Sequence, residues 1–158
     1  MKIGISGTIG YSKAAELLEE NRDFLERRFP GFFIEQFIIA KSQPNNYSMK
    51  NIKEIGEGGI FRALWELCEE AECGCEVRIR DIPMMQEVIE IMECFDENPY
   101  EAVSGGAFLT MADELPEGFV LIGETNSSKD RVVVDGESRR FLTPPSRQDK
   151  DILDRKRK

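Results

Sequence analysis

Gly56-Glu57-Gly58-Gly59-Ile60-Phe61-Arg62-Ala63-Leu64-Trp65-Glu66-Leu67-Cys68-Glu69-Glu70-Ala71 carries the strongest fold signal in this chain of 158 residues. Ile60, Leu64, Leu67 and Cys68 fall on one stripe, with Phe61 and Trp65 beside it. That is the period of a helix with one face on a core. The spacing predicts a helix from Ile60 to Glu70, launched by a glycine turn and fed by a β-prone run from Asn51 to Ile55. Glycines give the backbone freedom to turn, and a helix start offers unpaired N–H groups at the positive end of its dipole. Two readings follow: a tight turn into a core helix, or a turn that holds an anion. The pattern is too short to be a dinucleotide or P-loop fingerprint.

Composition bounds the rest. The length suits one domain with a real core. Hydrophobic residues make up 41% and charged residues 32%, the balance of a soluble globular chain. A net charge of −9 argues against nucleic acid or an anionic membrane as the main partner. The run Arg155-Lys156-Arg157-Lys158 reads as a solvated end rather than a binding arm. No apolar run reaches the ~20 residues of a membrane span. The start of the chain has no credible cleavage site, so a cytoplasmic location is expected.

There is no histidine. That removes Ser-His-Asp and Cys-His nucleophiles and histidine-based metal sites. Cys68, Cys73 and Cys75 are spaced C-x4-C-x-C, without a C-x2-C pair. Cys68 and Cys94 sit on apolar stripes, where a thiol behaves as a small hydrophobe. The cysteines read as structural rather than as a metal cluster.

In chain order, Met1 to Ser6 reads as a first strand and Gly7-Thr8-Ile9-Gly10 as a turn. Ser12 is placed to cap a helix from Lys13 to Phe29, which Pro30-Gly31 stops. Gly31 to Ala40 is ambiguous: β-branched and aromatic residues favour a strand, while Phe33, Phe37 and Ala40 fit a helical stripe. Ser42 to Ser48 is a polar loop. Cys75 to Arg80 alternates as a half-buried strand, and Pro83 opens a helix with Met84, Met85, Val88, Ile89, Met92 and Phe95 on its stripe. Ala107–Met111, Phe119–Gly123, Arg131–Val134 and 138–142 read as closing strands, with a hairpin turn at Asn126 to Asp130 and another at Asp135-Gly136. The pattern predicts an α+β fold, a mixed β-sheet with helices packed on one face.

The segment from Gly58 to Ala71 resembles the "GG-hydrophobic-x-x-A-L-x-E" helix of the aminoimidazole ribonucleotide synthase superfamily. That superfamily includes hydrogenase maturation proteins, thiamine-monophosphate kinase and selenophosphate synthetase. Ile82-Pro83-Met84-Met85-Gln86-Glu87-Val88 resembles its "I-P-x-x-x-E-V" helix start. Asn98-Pro99-Tyr100 with Ser104-Gly105-Gly106-Ala107-Phe108-Leu109 resembles its "N/D-P…G-x-L-L" segment. Gly123-Glu124 and the hairpin ending at Pro144-Pro145 fit the hydrogenase-maturation branch. The resemblance runs from about Lys2 to Pro145 and covers only the C-terminal domain of those enzymes. It implies a domain at 1–145 and a flexible charged tail at 146–158.

The family's N-terminal domain supplies the dimer barrel and most of the ATP surface with its metal ligands. By the resemblance, Gly56, Glu57, Gly58 and Gly59 line a phosphate-binding cleft, with Ser6, Gly7 and Gly10 nearby. This chain has Glu54 where the family has Asp, a candidate metal ligand, and Gly56 where it has Thr. Between Met111 and Phe119 a short loop stands where the family inserts a helix. No catalytic residue is assigned. The expectation is an accessory or ligand-binding domain, inactive alone, that pairs with a second copy or with a separate N-terminal-like chain. The alternative is half of a split ATP-dependent synthase, kinase or hydrogenase maturation enzyme. ATP and Mg²⁺ are expected only with that second chain, and a phosphorylated small molecule is the candidate ligand.

Overall fold

The computed structural model describes residues 1–39 and 52–144. The expectations for the Ser42 to Ser48 loop, for Asn51 and for the tail lie outside these residues. Among the described residues seven strands form one sheet: β1 (Lys2–Ser6), β2 (Ile52–Ile55), β3 (Gly74–Arg78), β4 (Ser104–Ala112), β5 (Val120–Asn126), β6 (Arg131–Asp135) and β7 (Ser138–Phe141). The helices are α1 (Tyr11–Glu20), α2 (Arg22–Arg28), α3 (Gly31–Ile39), α4 (Gly59–Ala71) and α5 (Gln86–Glu93). The strand order is β2-β4-β1-β5-β3-β6-β7. Only β3 and β6 pair in parallel; the other neighbours are antiparallel. This is the mixed-sheet α+β fold that the sequence predicts.

Period-two alternation sorts the sheet into two faces. Ile3, Ile5, Cys75, Val77, Leu109 and Met111 are buried and join Ile60, Leu64 and Leu67 of α4 in one core cluster. Each such side chain contributes about 1.5–3 kcal/mol of burial. The intervening residues of β3 face the other way: Glu76 pairs with Arg139 at 3.0 Å, and Arg78 pairs with Glu124 at 3.0 Å. On that face the loop between β4 and β5 lays Leu115 over Gly4. A Cβ at Gly4 would stand 2.7 Å from Leu115 Cδ2. The remaining helices build a second cluster, centred on Leu17, Leu18, Leu25, Phe37, Val88, Ile91 and Met92.

Several boundaries differ from the sequence expectations, each for a local reason. The helix expected from Lys13 to Phe29 is two helices. Asn21 breaks it at φ −129° and ψ 38°, and its side-chain amide donates to the Leu17 carbonyl. Asparagine competes for backbone groups in this way. Gly31–Ile39 is helical. Ser12 is not a cap: Gly10 occupies the N-cap with φ 81°, and Ser12 Oγ accepts the Gly105 N–H instead. Pro83 does not open α5, which begins at Gln86; the Pro83 carbonyl accepts the Ile9 N–H. The strand expected to run to Arg80 ends at Arg78, where Ile79–Asp81 forms a 3₁₀ turn. Asn126 to Asp130 is not a hairpin turn, because β3 lies between β5 and β6. A local turn signal does not reveal an intervening strand. The Asp135-Gly136 hairpin is present, pairing Asp135 with Ser138.

Cys68 and Cys75 are fully buried between α4 and β3. A hydrogen bond with Cys75 and burial push the Cys68 thiol up, so it stays protonated in the core. Among the described residues no group of three or more His, Cys, Asp or Glu is arranged to hold a metal ion. No helix there is long and apolar enough to cross a membrane.

Candidate functional site

The sheet is irregular at one point. Glu54 pairs with Phe108, but the next residue, Ile55, pairs with Ser104. Gly105, Gly106 and Ala107 therefore have no Cα partner on β2. Such bulges aim backbone groups away from the ladder. Gly106 takes φ 84° and is exposed.

Of the sequence-predicted residues, Ser6, Gly7, Gly10 and Glu54 gather around this bulge. Gly7, at φ 84°, lies so close that a Cβ would stand 2.7 Å from the Gly106 carbonyl oxygen. Only a residue without a side chain fits that approach. Ser6 pairs with Phe108 and is buried. The Gly10 N–H donates to Ser104 Oγ at 2.8 Å, and Ser104 Oγ donates onward to the Ala102 carbonyl. Glu54 Oε1 accepts the Gly106 N–H at 3.3 Å. The loop Ser6 to Gly10, the β2 carboxylate and the glycine pair of β4 form one connected wall. Ser12 and Ser104 belong to it as well. Nothing in residue type or spacing singles out two serines whose role is to tie loops together.

Gly56 and Glu57 lie beside it, lining an open groove of about 200 Å³ with Glu54, Arg62, Ala63 and Glu66. Gly58 and Gly59 face elsewhere. The Gly59 N–H donates to the Gly56 carbonyl at 3.1 Å, and the Ile60 N–H donates to the Tyr100 carbonyl at 3.0 Å. Two donors that a free helix start would aim at an anion are thus engaged by carbonyls. Tyr100 also stacks its ring on Phe61, with centroids 5.4 Å apart. Asn98-Pro99-Tyr100 therefore locks the start of α4, a link between two motifs that neither shows alone.

The charge in the groove is organised by Glu66, which accepts from Lys53 Nζ at 2.6 Å and from Arg62 Nε at 3.1 Å. The Lys53 hydrogen bond holds its carboxyl below the usual range. For Lys53, burial acts downward, but the hydrogen bonds to Glu66 and Glu70 outweigh it and raise the ammonium. Glu66 is more acidic folded than unfolded. Its contribution is therefore present above the unfolded carboxylate pKa and fades as pH falls through the lower, folded value. Glu66 is 37% exposed in its side chain, so screening keeps the pair to about 0.2–1 kcal/mol. Glu66→Gln is expected to lower the urea midpoint slightly at pH 7 and to leave it unchanged near pH 2, in paired titrations of both chains. An equal loss at both pH values would show that charge is not the cause.

The sequence matches no family model. Solved structures do resemble the chain. Hydrogenase maturation protein HypE from E. coli superposes with a TM-score of 0.64 at 18% identity, over 91% of this chain and 49% of that one. HypE in complex with ATP gives 0.61 at 14% identity, over 90% and 50%. Thiamine monophosphate kinase from Aquifex aeolicus gives 0.51 at 20% identity, over 88% and 51%. The chain spans about half the length of each. It has the fold of one half of these proteins of the aminoimidazole ribonucleotide synthase-related superfamily, as the α4 and Gly105-Gly106 motifs imply.

Proposed function

We propose that this chain is an accessory domain of the C-terminal type in that superfamily, without turnover of its own. Its wall of Ser6 to Gly10, Glu54 and Ser104 to Gly106 faces a second chain. The observation that carries this reading is the start of α4, where the Gly59 and Ile60 amides are already bonded to carbonyls. The adjoining groove presents Glu54, Glu57 and Glu66. Carboxylates repel a phosphate unless a cation lies between. Glu54 and Glu57 are the carboxylates able to approach such a cation, and a phosphorylated small molecule would reach the wall only in its company. A nucleotide-binding chain would bring both Mg²⁺ and the phosphate, and the uncovered wall would be buried against it or against a second copy.

The split-enzyme reading is favoured by one observation: neighbours with this fold are described as bound to ATP or, for a thiamine monophosphate kinase, to AMPPCP and TMP. A further neighbour is described as a HypE–HypF complex, so pairing with a separate chain has a precedent on this fold.

Titration calorimetry separates the readings. ATP, ADP and phosphorylated metabolites, each with and without Mg²⁺, are expected to give no heat and no thermal shift with the chain alone. Sedimentation is expected to show self-association or a co-purifying partner. Heat with a nucleotide on the isolated chain would overturn the accessory reading, as would a clean monomer at high concentration without a partner. ATP turnover that appears only on mixing with a nucleotide-domain chain would establish the split enzyme.

A further inference from the structure

Two thiols meet in the core. Cys68 on α4 and Cys75 on β3 are both 0% exposed. The Cys68 S–H donates to Cys75. That bond, with the Val132 N–H and the Arg131 guanidinium, outweighs burial and holds the Cys75 thiol below its usual value. The same bond, with burial, holds Cys68 above it. The pair is thus divided into a proton donor and a sulfur that favours the thiolate. A thiolate is the reactive form of cysteine.

The junction around the pair is tied on both sides. The Arg131 guanidinium lies 4.2 Å from the centre of the Trp65 ring, pairs with Glu69 and donates to the Cys73 carbonyl at 3.4 Å. The Cys73 N–H donates to the Cys68 carbonyl at 3.1 Å, and the Cys75 N–H donates to the Asp130 carbonyl at 2.9 Å. These bonds hold the end of α4 and the start of β3 so that the two sulfurs stay side by side. The way in is the turn between them. Glu72 takes φ 52° there, a conformation that costs energy in a residue with a side chain. Cys73, next to it, is half-buried. Helix ends open locally more readily than core strands do, and a solute close to water in size enters by such an opening.

We propose that Cys68 and Cys75 are a redox-active dithiol that hydrogen peroxide converts to a disulfide. The Cys75 thiolate attacks one peroxide oxygen, the O–O bond breaks and hydroxide leaves, which makes Cys75 a sulfenic acid. Cys68 Sγ then attacks Cys75 Sγ, the S–O bond breaks, and the departing hydroxide takes the Cys68 proton as water. The two sulfurs lose two electrons and the peroxide gains them, ending as one water and one hydroxide. Exposure alone would direct oxidation to Cys73 and Cys94, which are the more accessible thiols. Contact and charge direct the bridge to the buried pair instead. The bridge fastens α4 to β3 and constrains the unfolded chain. It uses neither the wall nor the groove beside it, so it stands or falls apart from the accessory reading.

Peroxide treatment of the reduced full chain tests it. Catalase stops the reaction, the chain is unfolded, the remaining thiols are blocked with N-ethylmaleimide, and peptides are mapped by mass spectrometry. One bridge per chain is expected, Cys68 to Cys75, with Cys73 and Cys94 blocked. Dithiothreitol is expected to reverse it, and the bridged chain is expected to unfold at higher urea than the reduced one. Cys73→Ser is expected to keep the bridge and Cys75→Ala to abolish it. Treatment in urea is expected to lower the preference for this pair several-fold, because the fold creates it. A bridge that includes Cys73 or Cys94 as the main product would overturn the proposal. So would Cys68 and Cys75 both recovered blocked after peroxide has oxidised Cys73, or an equal preference for the pair in the unfolded chain.

Discussion

Gly59→Ala is expected to destabilise the protein by about 2–6 kcal/mol, the largest single-methyl effect in the Gly56 to Gly59 turn. Gly59 sits at φ 75°, and a Cβ there would stand 2.0 Å from the Tyr100 carbonyl oxygen and 2.6 Å from Glu101 Cα. Left-handed strain at a residue with a side chain costs roughly 1–3 kcal/mol. Displacing packed backbone adds about 1–3 kcal/mol more. The obstruction is main chain, so no rotamer relieves it. The same substitution at Gly56 has open space around it and no positive φ. Gly56→Ala is therefore expected to be neutral, or to stabilise by about 0.4–1 kcal/mol through the unfolded chain. Urea melts of the two variants make the comparison. A Gly59→Ala loss below that of Gly56→Ala would show that the approach to Tyr100 does not exist in solution.

The contrast bears on function. Glycines at a helix start suggest room for a ligand, but here Gly59 makes room for the protein's own Asn98-Pro99-Tyr100 segment. Gly56 is the position where an added side chain probes an outside partner without disturbing the fold. A bulky residue at Gly56 that leaves stability intact and abolishes pairing with a second chain would place that partner against this turn.

Much of this was legible in the sequence. The stripe on α4 was readable because a helix buried on one side imposes its period along all 13 residues. The α+β class followed from the strands interleaved with it, and the order of motifs pointed to the fold that these solved structures share. What escaped was non-local. Strand order cannot be read from a turn, and Asn126 to Asp130 has hairpin chemistry although β3 separates the strands it joins. The bulge at Gly105-Gly106 depends on where Ile55 lands on β4. The roles of Ser12 and Ser104 depend on loops 93 and 94 residues away. The commitment of the α4 amides depends on Tyr100, which lies 40 positions from Ile60.

The segment Gly31 to Ala40 was undecided for a different reason, and it supplies the second large expected effect. A strand would alternate its sides, whereas a helix buries positions three apart. Ile34 and Phe37 are buried, while Phe32 is 65% exposed and Ile39 is 68% exposed. Both helical and strand patterns were present because the segment is apolar almost throughout, so composition hid the period. Phe37 is 1% exposed, stacks on Tyr11 with centroids 4.6 Å apart, and accepts the Tyr11 hydroxyl on its carbonyl at 2.8 Å. Truncating such a ring removes its transfer free energy and leaves a cavity in the second core cluster, so Phe37→Ala is expected to cost about 3–5 kcal/mol. Ile39→Ser removes an exposed side chain and is expected to stay within about 0.5 kcal/mol. Phe37 and Ile39 lie two apart, so a strand would place them on one face and make their losses similar. Equal losses in chemical denaturation would overturn the helix. A large loss at Phe37 beside a negligible one at Ile39 is the signature of α3 as the outer wall of the second core cluster.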